Sequence, residues 1–279
     1  MKFGAHISIA GGIEKAPERV RKIGGECFQM FSRSPRGGKS SALTKEKIKS
    51  FKENCRKYDL ENYYLHTPYY INLASADNRI YHGSISAIKK EMETADLLGA
   101  KGVVTHLGSA KELGEKKARE KLIAGLTQVF TEQIFKTQLL LEITAGSGDI
   151  MGDNFEEIAY FIKETEKEIS KNKLGVCFDT AHAFASGYDL RNKKAVQKTF
   201  DDFDKIIGLE KLKLMHCNDS KVDLNSHLDR HENIGEGKIG EEGFRALVNE
   251  PRLQEPDFIL ETPGGKQKED LAVLRRLKK

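Results

Sequence analysis

Residues 84–108 read SISAIKKEMETADLLGAKGVVTHLG, and two periods follow one another in them. Ile85, Ile88, Met92, Ala95 and Leu98 recur at three- and four-residue steps, the spacing that gathers apolar side chains on one face of a helix. GVVTHLG (102–108) then supplies a short apolar run of the β type that closes on His106. A helix leading straight into a buried strand is the repeating unit of parallel α/β folds. Outward from this unit the pattern continues. Further apolar runs stand at 2–8 (KFGAHIS), 26–32 (ECFQMFS), 62–67 (NYYLHT), 138–144 (QLLLEIT), 174–180 (LGVCFDT), 212–218 (LKLMHCN) and 257–262 (DFILET). Helical spacing returns at 116–135 and at 154–169, where Asn154 is placed to cap the helix start. Strand and helix alternate about eight times, which predicts an α/β fold, a closed (β/α)₈ TIM barrel, with residues 1–279 as a single catalytic domain. The competitor is a doubly wound open sheet, but the glycine fingerprint that would follow its first strand is missing.

Length and composition agree with a barrel. Such folds take about 250 residues, and this chain has 279, 38% of them hydrophobic. No run of about 18 apolar residues exists to span a membrane as a helix. The start, MKFGAHISIAGG, lacks the charged-then-apolar pattern of a signal peptide. The four cysteines (Cys27, Cys55, Cys177, Cys217) show no paired CxxC spacing, so neither a disulfide framework nor a cysteine zinc site is expected. These features predict a cytoplasmic protein. A net charge of +4 and a pI near 8.7 permit a nucleic-acid partner without announcing one.

The strand ends carry the chemistry. Active sites of these barrels lie at the C-terminal ends of the strands, and those ends are His6, His66, His106, Glu142, Asp179, His216 and Glu261. His182 follows Asp179 by three residues. The segment 215–231, MHCNDSKVDLNSHLDRH, adds Asp229-Arg230-His231 and holds three of the chain's eight histidines. One such residue at one strand end reads as a structural hydrogen-bonding group or a helix cap. Six consecutive ends aimed at one mouth do not. Mixed imidazole and carboxylate donors favour zinc or a similar first-row ion, because magnesium and calcium prefer oxygen alone. Nine donors exceed what one tetrahedral ion uses and suit two or three ions. Paired ions about 3.5–4 Å apart suit phosphodiester hydrolysis.

These motifs resemble the endonuclease IV family of abasic-site (AP) endonucleases, from GAHIS near the start to ILET near the end. The segment from His216 through Asn218-Asp219-Ser220-Lys221 and Asn225-Ser226 to Asp229-Arg230-His231 is the most specific piece. HTPYYINLA (66–74), HLGS (106–109), EITAG (142–146), CFDTAH (177–182) and GEGKIG (235–240) match in order and spacing. The resemblance implies three zinc ions. His66 and His106 would hold the first, with Glu142 bridging it to the second; Asp179, His216 and Glu261 would complete the second; His182, Asp229 and His231 would hold the third. Glu142 and Glu261 would be the catalytic carboxylates. The implied reaction is hydrolysis of the phosphodiester 5′ to an abasic site in double-stranded DNA, leaving a 3′-hydroxyl and a 5′-deoxyribose phosphate, with removal of 3′-blocking groups besides.

DNA contacts are implied at Arg36, Tyr69, Tyr70, Ser109 and Arg230. Arg36 lies in the basic loop FSRSPRGGKS (31–40) with Arg33 and Lys39, and the tyrosine pair would fill the gap left by an extruded nucleotide. For Arg230 a structural salt bridge is an equal alternative to a phosphate contact. The chain departs from the family pattern at Ala181, Ile143 and Tyr70, which puts the tuning around the metals and the wedge geometry in question but none of the ligands. His6 has no ligand role and is expected to support the site from behind. All ligands come from one chain, so a monomer suffices. A metal-dependent sugar isomerase and a silent DNA-damage binder are the rival readings. The Asp-Arg-His loop and the basic loop argue against the first, the intact ligand set against the second.

Overall fold

The computed structural model describes residues 1–35, 43–131 and 133–279. Arg36 and Lys39 lie outside the described residues.

Eight parallel strands close into the expected barrel: β1 (Phe3–His6), β2 (Cys27–Phe31), β3 (Asn62–His66), β4 (Gly102–Thr105), β5 (Gln138–Glu142), β6 (Leu174–Asp179), β7 (Leu212–His216) and β10 (Asp257–Leu260). Their order around the barrel is β1-β10-β7-β6-β5-β4-β3-β2, so neighbours in sequence are neighbours in space. A two-stranded antiparallel hairpin, β8 (Asp219–Ser220) with β9 (His231–Glu232), stands between β7 and β10 in the chain. The helices are α1 (Ala16–Lys22), α2 (Lys45–Lys57), α3 (Asn78–Leu98), α4 (Glu115–Thr131), α5 (Phe155–Thr165), α6 (Thr180–Ala185), α7 (Lys193–Ile206), α8 (Gly240–Val248) and α9 (Gln267–Leu277). None of the described helices is long and apolar enough to cross a membrane.

Strands buried on both faces need continuous apolar runs rather than alternation, and β4 and β6 are buried at every position. Cys27, Tyr64, Val104, Leu140, Cys177, Leu214 and Ile259, one from each of seven strands, fill the lumen as one apolar cluster. Asp257 closes the floor beneath them, accepting from Tyr64 Oη (3.0 Å) and Asn62 Nδ2 (2.7 Å). The larger core lies between strands and helices. With the lumen filled and the floor sealed, the mouth is left for polar chemistry.

Helix starts follow capping chemistry. Asn154 accepts from Glu157 N (2.8 Å), as its position predicts. α3 begins earlier than the apolar spacing indicates because Asp77 accepts from Arg79 N and Ile80 N. α6 was not visible as a helix in the sequence. Six residues are too few to show a period, and its cap is Asp179, the last residue of β6, which accepts from His182 N (2.9 Å).

Candidate metal centre

The barrel register brings the strand-end residues to one level. Asp179 is paired with His216, and His216 with Ile259 two residues before Glu261. His106 and Glu261 fall just beyond β4 and β10, where the chain turns into the mouth. Three groups result whose potential ligand atoms lie within 4.8 Å of one another: His66, His106 and Glu142; Glu142, Asp179, His216 and Glu261; and Asp179, His182 and His231. Asp229 joins the last, its Oδ1 lying 3.2 Å from His182 Nε2 and 3.5 Å from His231 Nε2. All nine expected ligand residues are thus brought together. One difference from expectation is that Asp179 stands between the second and third groups: its Oδ2 is 3.8 Å from His216 Nδ1 and 3.6 Å from His231 Nε2. Seven of the nine line a cavity of about 420 Å³ with His6, Tyr69, Thr262 and Gln267. Asp179 and His216 lie beneath it, wholly buried.

The imidazoles are oriented by groups that can only accept a hydrogen bond. His66 Nδ1 donates to the Thr67 carbonyl (2.7 Å), His182 Nδ1 to that of Ile143 (3.1 Å) and His231 Nδ1 to that of Glu261 (3.4 Å). Each ring's Nε2 is then the free nitrogen, and each faces carboxylate oxygen: His66 that of Glu142 at 3.1 Å, His182 that of Asp229 at 3.2 Å. Carboxylate and bare nitrogen cannot satisfy each other. Either a proton or a cation must stand between them, and the mixed donor set fits a first-row metal ion.

The charge balance agrees. Burial would raise the Glu142 carboxyl, but His106 and His216 beside it hold it well below the usual range. Burial would lower His182, yet Asp179, Asp229 and Glu142 push it up to about 10. Glu142 is wholly buried and divides its oxygens between groups, Oε2 toward His66 and His106 (3.1 and 2.9 Å) and Oε1 toward His216 (3.0 Å).

Behind these residues stand two amides that composition and spacing could not single out. Gln29 on β2 contacts His216 and Glu261, at 2.8 and 2.7 Å. Asn218 donates to Asp179 Oδ2 (2.7 Å) and accepts from Glu261 N (2.7 Å). For Asn218 the available signals were its place two residues after a strand-end histidine and inside the 216–231 segment, the most specific of the motifs. His6 does brace the site, its Nδ1 lying 3.1 Å from Glu261 Oε1.

At the rim, Tyr69 and Tyr70 are 63% and 45% exposed, with the Tyr69 ring 5.2 Å from that of Phe31. Ser109 is fixed through its N–H to Asn72 Oδ1 (3.2 Å), an approach open only because Gly108 lacks a side chain: a Cβ there would meet that oxygen at 2.2 Å. Arg230 is exposed and donates to the Asp229 carbonyl (2.6 Å), and it makes no salt bridge among the described residues. Arg33 is committed instead. It pairs with buried Glu91 at 2.6 Å and is not a free cation of the basic loop. Ala181 and Ile143 are buried.

Comparison with known proteins gives the same picture over the full length. A family described as "Xylose isomerase-like TIM barrel" matches residues 17–277. The chain is 41% identical to the probable endonuclease 4 of Halothermothrix orenii over 280 residues, covering 99% of this chain and 100% of that one. It superposes on the crystal structure of endonuclease IV from Thermus thermophilus with a TM-score of 0.85 at 33% identity, covering 99% and 98% of the two chains. A D-tagatose 3-epimerase-like protein shares the fold at a TM-score of 0.75 and 20% identity, covering 99% of this chain and 97% of that one.

Proposed function

The chain belongs to the endonuclease IV family, and from that premise we propose that it hydrolyses the phosphodiester 5′ to abasic sites in duplex DNA, releasing a 3′-hydroxyl and a 5′-deoxyribose phosphate, and that it also clears 3′-blocking groups. The observation that carries this reading is Glu142, a wholly buried carboxylate with its two oxygens turned to different histidine groups. That arrangement suits a bridge between two ions. His66, His106 and Glu142 would hold one zinc; Glu142, Asp179, His216 and Glu261 a second; His182, Asp229 and His231 a third. Zinc bound there supplies positive charge for the phosphate oxygens and a nucleophilic water near neutral pH.

The chain's own residues set where the phosphate can sit. Glu142 and Glu261, the catalytic carboxylates, line the cavity on its ligand side, and Tyr69 stands at its edge. Extruding a nucleotide costs a few kcal/mol, least where no base is paired. Tyr69 and Tyr70 offer exposed aromatic surface to offset lost stacking, and Arg36 serves as a wedge from its basic loop. Arg230 and Ser109 would make phosphate contacts. The protein works as a monomer in the cytoplasm.

A duplex with one abasic site tests this, its products mapped at nucleotide resolution with zinc-loaded protein. Cleavage 5′ to the lesion with a 3′-hydroxyl is expected. Glu142→Ala should keep the fold by circular dichroism and lose activity by roughly three orders of magnitude, the scale for removing charge stabilisation at a reacting centre. Folded, metal-replete protein that leaves the duplex intact would overturn the assignment, as would near-normal turnover by the variant.

A further inference from the structure

Gln29 is an amide wholly buried in β2, yet it faces the mouth, not the apolar lumen. Its Nε2 lies 2.7 Å from Glu261 Oε1 and 3.0 Å from His6 Nδ1, and its Oε1 lies 2.8 Å from His216 Nε2. Chemistry fixes which end points where. An ionised carboxylate only accepts hydrogen bonds, so the end facing Glu261 must be the NH₂. The carbonyl then faces His216, and since it too only accepts, His216 Nε2 carries the hydrogen. Nδ1 is left as the nitrogen that faces the carboxylates of Glu142 (3.0 Å), Glu261 (3.3 Å) and Asp179 (3.8 Å).

We propose that Gln29 is the positioning residue of the second metal group: one amide selects Nδ1 of His216 as the ligating atom and holds the Glu261 carboxylate in place beside it. His66, His182 and His231 each use a backbone carbonyl for the orienting bond. His216 sits inside the barrel wall, where strand carbonyls are engaged by neighbouring strands, so a side chain from β2 reaches across to it. His6 Nδ1 lies against both this NH₂ and Glu261 Oε1, and one ring nitrogen serves only one of them, as acceptor from the amide or as donor to the carboxylate. The role rests on the metal-centre reading but not on the identity of the DNA substrate.

The test compares Gln29→Met, which keeps length and apolar volume but neither hydrogen bond, with Gln29→Leu. Zinc alone is titrated into metal-free protein against a chromophoric chelator. Both variants should bind the ion of the second group about ten- to a hundredfold more weakly, the usual effect of removing such a partner, with the first and third groups still filling. In nitrogen-15 spectra of zinc-loaded wild type, His216 should show a slowly exchanging Nε2–H and a ligated Nδ1; in Gln29→Met that protection should vanish. A packing role alone predicts that the methionine variant binds zinc normally, and that result, or a His216 protonated at Nδ1 in the loaded wild type, overturns the proposal. The two readings fail separately. Wild type that spares abasic DNA while Gln29→Met loses zinc removes only the substrate assignment, and active wild type with an unaffected variant removes only the role of Gln29.

Discussion

Glu142 and Asp96 are both carboxylates that keep their charge against burial, and they do so for different ends. At Glu142 the neighbours are imidazoles, so the charge waits for a cation. At Asp96 they are hydrogen-bond donors of the turn before β5. Burial would raise the Asp96 carboxyl, but the N–H groups of Lys136 and Thr137 and the Thr137 hydroxyl hold it below its ordinary value. A carboxyl depressed in the folded state contributes stability at pH above its unfolded value, near 4, and loses it as pH falls through the folded value. Asp96→Asn should therefore cost about 2 kcal/mol at neutral pH, the scale of hydrogen bonds to a charged group. The deficit should shrink below about pH 4. Thermal melts of both proteins between neutral and acid pH measure it, and a deficit that stays constant down to the acid limit would refute the account.

In the loop from β8 to α8 burial outweighs such donors and raises the Asp219 carboxyl, yet that one group organises a whole element. Asp219 is buried and accepts from the N–H groups of Ser220, Gly235, Gly237, Ile239 and Gly240, at 2.8 to 3.2 Å. Gly237 of GEGKIG answers to this: a Cβ there would meet Asp219 Oδ1 at 2.5 Å. Ser220 in turn pairs with His231 across the hairpin, so one carboxylate supports the strand that carries an expected ligand. Asp219→Ala should lower stability by about 3 kcal/mol, from several orphaned donors, and weaken zinc at the third group while the first still fills. A variant that melts with the parent and binds all its zinc would show the loop to be held by something else. Asp219 and its glycines were visible in the sequence as a motif, but their contact was not. What could be read was whatever has a period or a fixed position: eight apolar runs, the Asn154 cap, and ligand-type residues at strand ends. What could not be read depends on partners brought near by closure. Gln29 and Asn218 are ordinary amides until the barrel sets them against His216, Glu261 and Asp179. Arg33 looked like a free cation because Glu91, its partner, is 58 residues away.

For the whole molecule, the question is whether the metal centre holds the barrel together or is held by it. The lumen cluster and the helix–strand core contain none of the nine ligand residues. The floor is closed by the separate Asp257 network. The barrel should therefore survive without metal, but with a mouth where Glu142, Asp179 and Glu261 crowd around His216. Each ion that binds only the folded state adds about 2.7 kcal/mol at a free concentration a hundredfold above its dissociation constant. At the 2–4 °C per kcal/mol typical of domains of about this size, that is a rise in Tm of about 5–10 °C per ion. Exhaustive chelation should lower Tm by at least one such step while far-UV circular dichroism at 25 °C stays native, and returning zinc should restore the melt. A chain that unfolds on chelation at 25 °C would make the metals part of the core. A Tm indifferent to chelation and to added zinc would mean that the nine side chains hold no ion, and that protons alone fill the gaps between their nitrogens and oxygens.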